Sequence, residues 1–222
     1  MFFRQNLPER CAADHSRAAP RLGFVVPSPD NGASLFSDTS PMALKSTVFK
    51  AELQVSDLDR HHYQSYGLTL ARHPSETDER LMVRLLAFAL FAAEDLAFGR
   101  GLSTEDEPAL WERDPTGAIR RWIDVGLPDE RDLRRACGRA DEVVLLVYGG
   151  RAADIWWQQN EGKLKALDKL LVLALDADDS AGLAALAGRT MRLQCTIQDG
   201  RVWLGDEATT LEFSPRTLKA RG

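Results

Sequence analysis

Two uninterrupted apolar runs, Val143-Val144-Leu145-Leu146-Val147-Tyr148 and Leu170-Leu171-Val172-Leu173-Ala174-Leu175, constrain the fold more than any other feature of the chain. A strand with one wet face alternates apolar and polar residues, so a strand without alternation must be covered on both faces. Between the runs, Ala153, Trp156, Asn160 and Leu164 recur at helical spacing, and residues 152–167 read as an amphipathic helix. Strand, helix and strand in that order form a β-α-β crossover with parallel strands, right-handed by the twist of the chain. The fold class is therefore α/β, with a mixed central sheet flanked by helices.

The remaining elements attach to this unit. From Thr47, Phe49, Ala51, Leu53 and Val55 alternate with Val48, Lys50, Glu52 and Gln54, which marks a half-buried strand, and residues 66–71 are its partner. Ser75, preceded by Pro74 and followed by Asp78 three residues on, reads as the cap of a helix. Residues 81–98 of that segment are apolar almost all round, so the helix should be buried. Residues 109–113 and 120–125 read as a hairpin around Asp114-Pro115-Thr116-Gly117. A helix follows Leu127-Pro128-Asp129, with Leu133, Ala136, Cys137 and Ala140 on its apolar stripe. A second hairpin, residues 192–204 around Asp199-Gly200, closes the domain.

The chain has 222 residues, 44% of them hydrophobic and 27% charged, which suits one globular domain. No apolar run approaches the ~18 residues of a membrane helix. Three cysteines, Cys11, Cys137 and Cys195, are too scattered for a disulfide scaffold, so a reducing, cytoplasmic setting is expected. Residues 1–41 hold Pro8, Pro20, Pro27, Pro29 and Pro41, half of the ten prolines, and sustain no period. They read as a disordered or non-native extension, with one folded domain from 42 to 222. The net charge of −5 argues against a strongly basic nucleic-acid coat and leaves room for a local basic groove. Oligomeric state is not legible.

Acidic residues in apolar company point to chemistry. Glu79 shares a helical stripe with Val83, Leu86 and Leu90; it is either a compensated buried carboxylate or a first-turn acid favoured by the helix dipole. Glu76, Arg80 and Arg84 follow another stripe and read as surface pairs. If the hairpin turn is centred between Pro115 and Thr116, Glu107 faces Asp124 with Asp106 beside them. Like charges across a ladder need a counter-ion, and converging carboxylates suit partly hydrated Mg²⁺ or Mn²⁺, which could support phosphoryl chemistry. Alternatively, Asp106-Glu107-Pro108 is a solvated loop and Asp124 pairs with an arginine.

Arg72-His73-Pro74-Ser75-Glu76-Thr77 with Glu79-Arg80, Asp106-Glu107-Pro108, Trp122-Ile123-Asp124-Val125-Gly126-Leu127-Pro128-Asp129-Glu130 and Ile155-Trp156-Trp157-Gln158-Gln159-Asn160 form a set of segments. Together they resemble the YaeQ family of bacterial proteins. The resemblance runs from Met42 to the C-terminus. It implies a variant of the restriction-endonuclease-like PD-(D/E)xK core with extra N- and C-terminal β-hairpins. That core places a helix glutamate, a strand acid and a second-strand acid around one metal. Glu79, Asp106 or Glu107, and Asp124 fall in those places as metal ligands, with Glu79, Glu107 and Asp124 as the catalytic set. The resemblance thus implies metal-dependent hydrolysis of nucleic-acid phosphodiesters. The pattern also wants a lysine two residues after the second acid, where this chain has Gly126. Either another cation supplies the charge or the fold is kept as a non-catalytic nucleic-acid- or protein-binding module. Arg131, Arg134 and Arg151 are the candidates for that cation and for phosphate contacts. Arg131, Arg134, Arg135 and Arg139 can equally be arginines that finish a helix begun by acids. Trp156 and Trp157 can stack bases or fill the core, and Cys137 and Cys195 read as small core residues.

Overall fold

The computed structural model describes residues 46–100 and 107–222. Both the expected N-terminal extension at 1–41 and Asp106 lie outside the described residues. The described part contains four helices and eleven strands in two mixed sheets.

Sheet 2 holds the two apolar runs. Its strands are β3 (Leu96–Phe98), β4 (Leu110–Arg113), β5 (Ile119–Val125), β6 (Ala140–Val147), β7 (Leu170–Ala174) and β11 (Arg216–Lys219), in the order β11-β7-β6-β5-β4-β3. β5, β6 and β7 are parallel, and the other pairings are antiparallel. Burial on both faces is literal: Val144 and Leu146 belong to one apolar cluster, Val143, Leu145 and Val147 to another. The second cluster is closed by helices α2 (Glu130–Arg139) and α3 (Arg151–Leu164), through Leu133, Ala136, Ala153 and Leu164.

The first cluster is closed by helix α1 (Asp78–Leu90), in which all residues from Leu81 to Ala89 are buried. Helix α4 (Ala177–Ala185) packs beside it. Beyond α1 lies sheet 1: β1 (Thr47–Asp57), β2 (His62–Arg72), β8 (Thr190–Gln198), β9 (Arg201–Gly205) and β10 (Thr210–Phe213), ordered β10-β9-β8-β1-β2. Phe49, Leu53 and Leu193 of this sheet share a core with α1 and with Ile123 of β5. The N- and C-terminal hairpins are thus joined in a sheet of their own, by the parallel pairing of β1 with β8. At the Asp199-Gly200 turn both residues adopt positive φ, 52° and 72°, as a two-residue hairpin requires. The Asp59 carboxylate fixes that turn by accepting from the N–H groups of Asp199 (2.8 Å) and Gly200 (3.0 Å).

Three local expectations are corrected. The cap of α1 is Thr77, whose hydroxyl accepts from the Arg80 N–H at 3.1 Å, and Ser75 hydrogen-bonds His73 instead. The helix ends at Leu90 with Phe91 as its C-cap, and Leu96–Phe98 becomes a strand. The β4–β5 register pairs Leu110 with Ile123, two residues from the expected one, because Gly117 (φ 87°) and a bulge beyond Glu112 lengthen the turn.

Candidate functional site

In open sheets with parallel strands, ligands bind outside the carboxyl ends of those strands. Here that edge gathers the loops after β5, β6 and β7, the start of β4 and the first turn of α1.

Asp124 stands one residue before the end of β5. Its two oxygens are held by separate donors, the Ala109 N–H at 3.0 Å and the Trp122 indole N–H at 2.7 Å. Burial pushes its carboxyl above the ordinary range, against the pull of those two bonds and of the Arg80 charge; Asp132 pushes the same way as burial. The corrected register sets Asp124 opposite Ala109, not Glu107. Glu107 turns to Arg100, accepting from its N–H at 3.1 Å, with the guanidinium at 3.7 Å. Glu79, in the first turn of α1, accepts from the buried Ser180 hydroxyl at 2.7 Å and so ties α1 to α4. The three acids are therefore satisfied separately, and among the described residues no three His, Cys, Asp or Glu side chains converge to hold an ion.

One cation of this edge comes from α1. The Arg80 guanidinium is 3.1 Å from Glu76, and its charge reaches both Asp124 and Tyr148. Burial drives the Tyr148 hydroxyl up to about 12, with Glu79 and Glu76 adding to the rise. Glu76 and Arg84, expected at the surface, are buried at 2% and 0% exposure, with 3.2 Å between them. Arg84 also donates to the Ala71 carbonyl at 3.2 Å, and burial lowers its affinity for its proton. A signal for this was present: a helix apolar on every face has no surface on which to place Arg84.

The arginines named from the sequence divide. Arg134 is committed to Glu130 one turn back. Arg131, in the first turn of α2, and Arg151, the first residue of α3, are exposed and carry no ion pair among the described residues. Arg131 borders a shallow cavity of 280 Å³ with Asp129, Glu130, Asn160 and Lys163. The Trp156 indole donates to the Pro128 carbonyl at 3.0 Å and packs on the second core, so its ring is structural. Gly126 has φ of 105°, a conformation side chains rarely adopt, and its N–H is bound to the Leu146 carbonyl.

A family model described as YaeQ protein matches residues 42–215 of this chain. The chain belongs to the YaeQ family. It is 52% identical over 173 residues to the uncharacterized protein YaeQ of Escherichia coli K12, covering 78% of this chain and 96% of that one. The crystal structure of YaeQ from Xanthomonas axonopodis pv. citri is 50% identical, with a TM-score of 0.77, across 79% of this chain and 99% of that one. YaeQ from Pseudomonas syringae, 39% identical, gives a TM-score of 0.76 over 79% and 97% of the two chains. No helix among the described residues of this YaeQ-family chain is long and apolar enough to cross a membrane.

Proposed function

We propose that this YaeQ-family chain is a cytoplasmic nucleic-acid-binding module that keeps a PD-(D/E)xK-like scaffold and contacts phosphate without hydrolysing it. The order α1–β3–β4–β5–α2–β6, a helix, an antiparallel meander, a helix and a parallel strand, supports the nuclease-like scaffold. The observation that carries the binding role is the placement of Arg131 and Arg151. A helix dipole disfavours cations in the first turn, yet both residues sit there, on helices that leave the same edge, with no internal partner among the described residues. Phosphate is the partner that turns this local misfit into an attraction, since helix N-termini and guanidinium groups both favour it.

Among the described residues no three carboxylate, imidazole or thiolate groups gather as ligands for a divalent ion. Lysine does not fit at 126, where the backbone is left-handed. One observation favours a hydrolytic role nonetheless: a desolvated carboxylate pinned by two N–H groups, as Asp124 is, resembles an oriented metal ligand. That role would require Asp106 to complete a site for Mg²⁺ or Mn²⁺ with Glu79 and Asp124. Binding of labelled DNA and RNA at several salt concentrations tests the proposal. Arg131→Gln and Arg151→Gln should each weaken binding and flatten the salt dependence by about one phosphate contact. Affinity unchanged in both variants would overturn it.

A further inference from the structure

The strand edges of the two sheets are unequal. β3, β10 and β11 are three or four residues long, too short to recruit another strand. β2 is eleven residues long and lies at the end of sheet 1. Among the described residues nothing pairs with its outer side. The devices that blunt an edge are missing from it. Its ladder to β1 runs through eleven pairs without a bulge. From His62 to Ala71 it contains no proline, lysine, arginine, aspartate or glutamate. Such an edge is a template for another strand.

The β2 sequence is complementary to itself. In an antiparallel pairing of two copies about Gly67, Tyr66 meets Leu68 on the inner face, twice by symmetry. Both side chains are half-buried and already pack on the core, so the contact extends an existing apolar surface. On the outer face Ser65 meets Thr69, and both of these residues are exposed. Aromatic–aliphatic and hydroxyl–hydroxyl pairs are favourable cross-strand neighbours, and no like charges oppose between Tyr63 and Ala71. Gly67 meets itself on the two-fold axis.

We propose that the YaeQ-family chain forms a symmetric dimer by antiparallel pairing of β2 with β2 of a second copy, centred on Gly67. The two five-stranded sheets become one of ten strands. Sedimentation velocity on the full chain should show a species of twice 24.7 kDa that dissociates on dilution. A side chain at 67 meets no atom within 4 Å, so Gly67→Lys should fold normally, place two ammonium groups against each other and sediment as a monomer throughout. Gly67→Thr, which adds a strand former without charge, should keep the dimer. Gly67→Cys should cross-link into a disulfide dimer on oxidation, because directly opposed strand residues lie within disulfide reach. A wild-type chain that is monomeric at every concentration, a dimer untouched by Gly67→Lys, or a Gly67→Cys variant that does not cross-link would each overturn the proposal.

Discussion

Arg84 and Glu76 show how a charged pair can be built into an apolar helix layer. One Glu76 oxygen and two Arg84 nitrogens are buried without a hydrogen-bond partner, so the Arg84 charge depends on Glu76, which Arg80 also holds at 3.1 Å. Removing one member of a buried pair typically costs ~3–5 kcal/mol, whereas replacing both by apolar groups is often neutral. Glu76→Ala should therefore lower the denaturation midpoint sharply, and Glu76→Leu combined with Arg84→Met should recover most of the loss in urea titrations. Asp124 is subject to a similar constraint. Asp124→Asn offers one oxygen to two N–H donors and leaves one of them facing an amide, a loss of roughly 1–3 kcal/mol. Tyr148 gives a pH signature. Its hydroxyl is raised in the folded chain, so the native state holds the proton more tightly than the unfolded one. That stabilisation is complete below the ordinary pKa of 10 and is lost as pH climbs towards about 12. Ultraviolet titration should show one of the three tyrosines ionising last, near pH 12, and Tyr148→Phe should abolish that step.

At the scale of elements, the apolar runs gave β6 and β7 because continuous burial leaves few alternatives. The turn at Asp199-Gly200 was legible because positive φ selects its residues. What failed were decisions between neighbouring residues. Ser75 and Thr77 both carry hydroxyls before an acidic first turn, and only the chain path past His73 selects Thr77 as the cap. Thr77→Ala should therefore destabilise the fold by about 1 kcal/mol, while Ser75→Ala should leave thermal unfolding nearly unchanged. The Glu107–Asp124 opposition failed because the turn at Gly117 and a bulge beyond Glu112 together moved the register by two residues, which composition does not announce. Helix α4 lacks an apolar stripe in Ala177-Asp178-Asp179-Ser180-Ala181-Gly182-Leu183-Ala184-Ala185, so periodicity passed over it.

For the whole molecule, alternation in β1 and β8 reported one wet face each but not which sheet they join. Their parallel pairing, Leu53 with Leu193, links segments too distant for any local signal. The same distance hid the role of Arg80, which sequence placed on a surface stripe and the fold turns towards Asp124 and Tyr148. Family membership and the α/β class were legible because motifs and burial patterns are local. The separate placement of the acids was not, because it depended on one register.

The most direct measurement is the fluorescence anisotropy of end-labelled DNA and RNA followed over time with the chain in Mg²⁺ or Mn²⁺. A non-hydrolytic phosphate-binding module predicts a salt-sensitive rise that then stays constant, with Asp124→Asn behaving as wild type once folded. No rise at low salt, or a steady decline to the value of short fragments that Asp124→Asn abolishes, would contradict it.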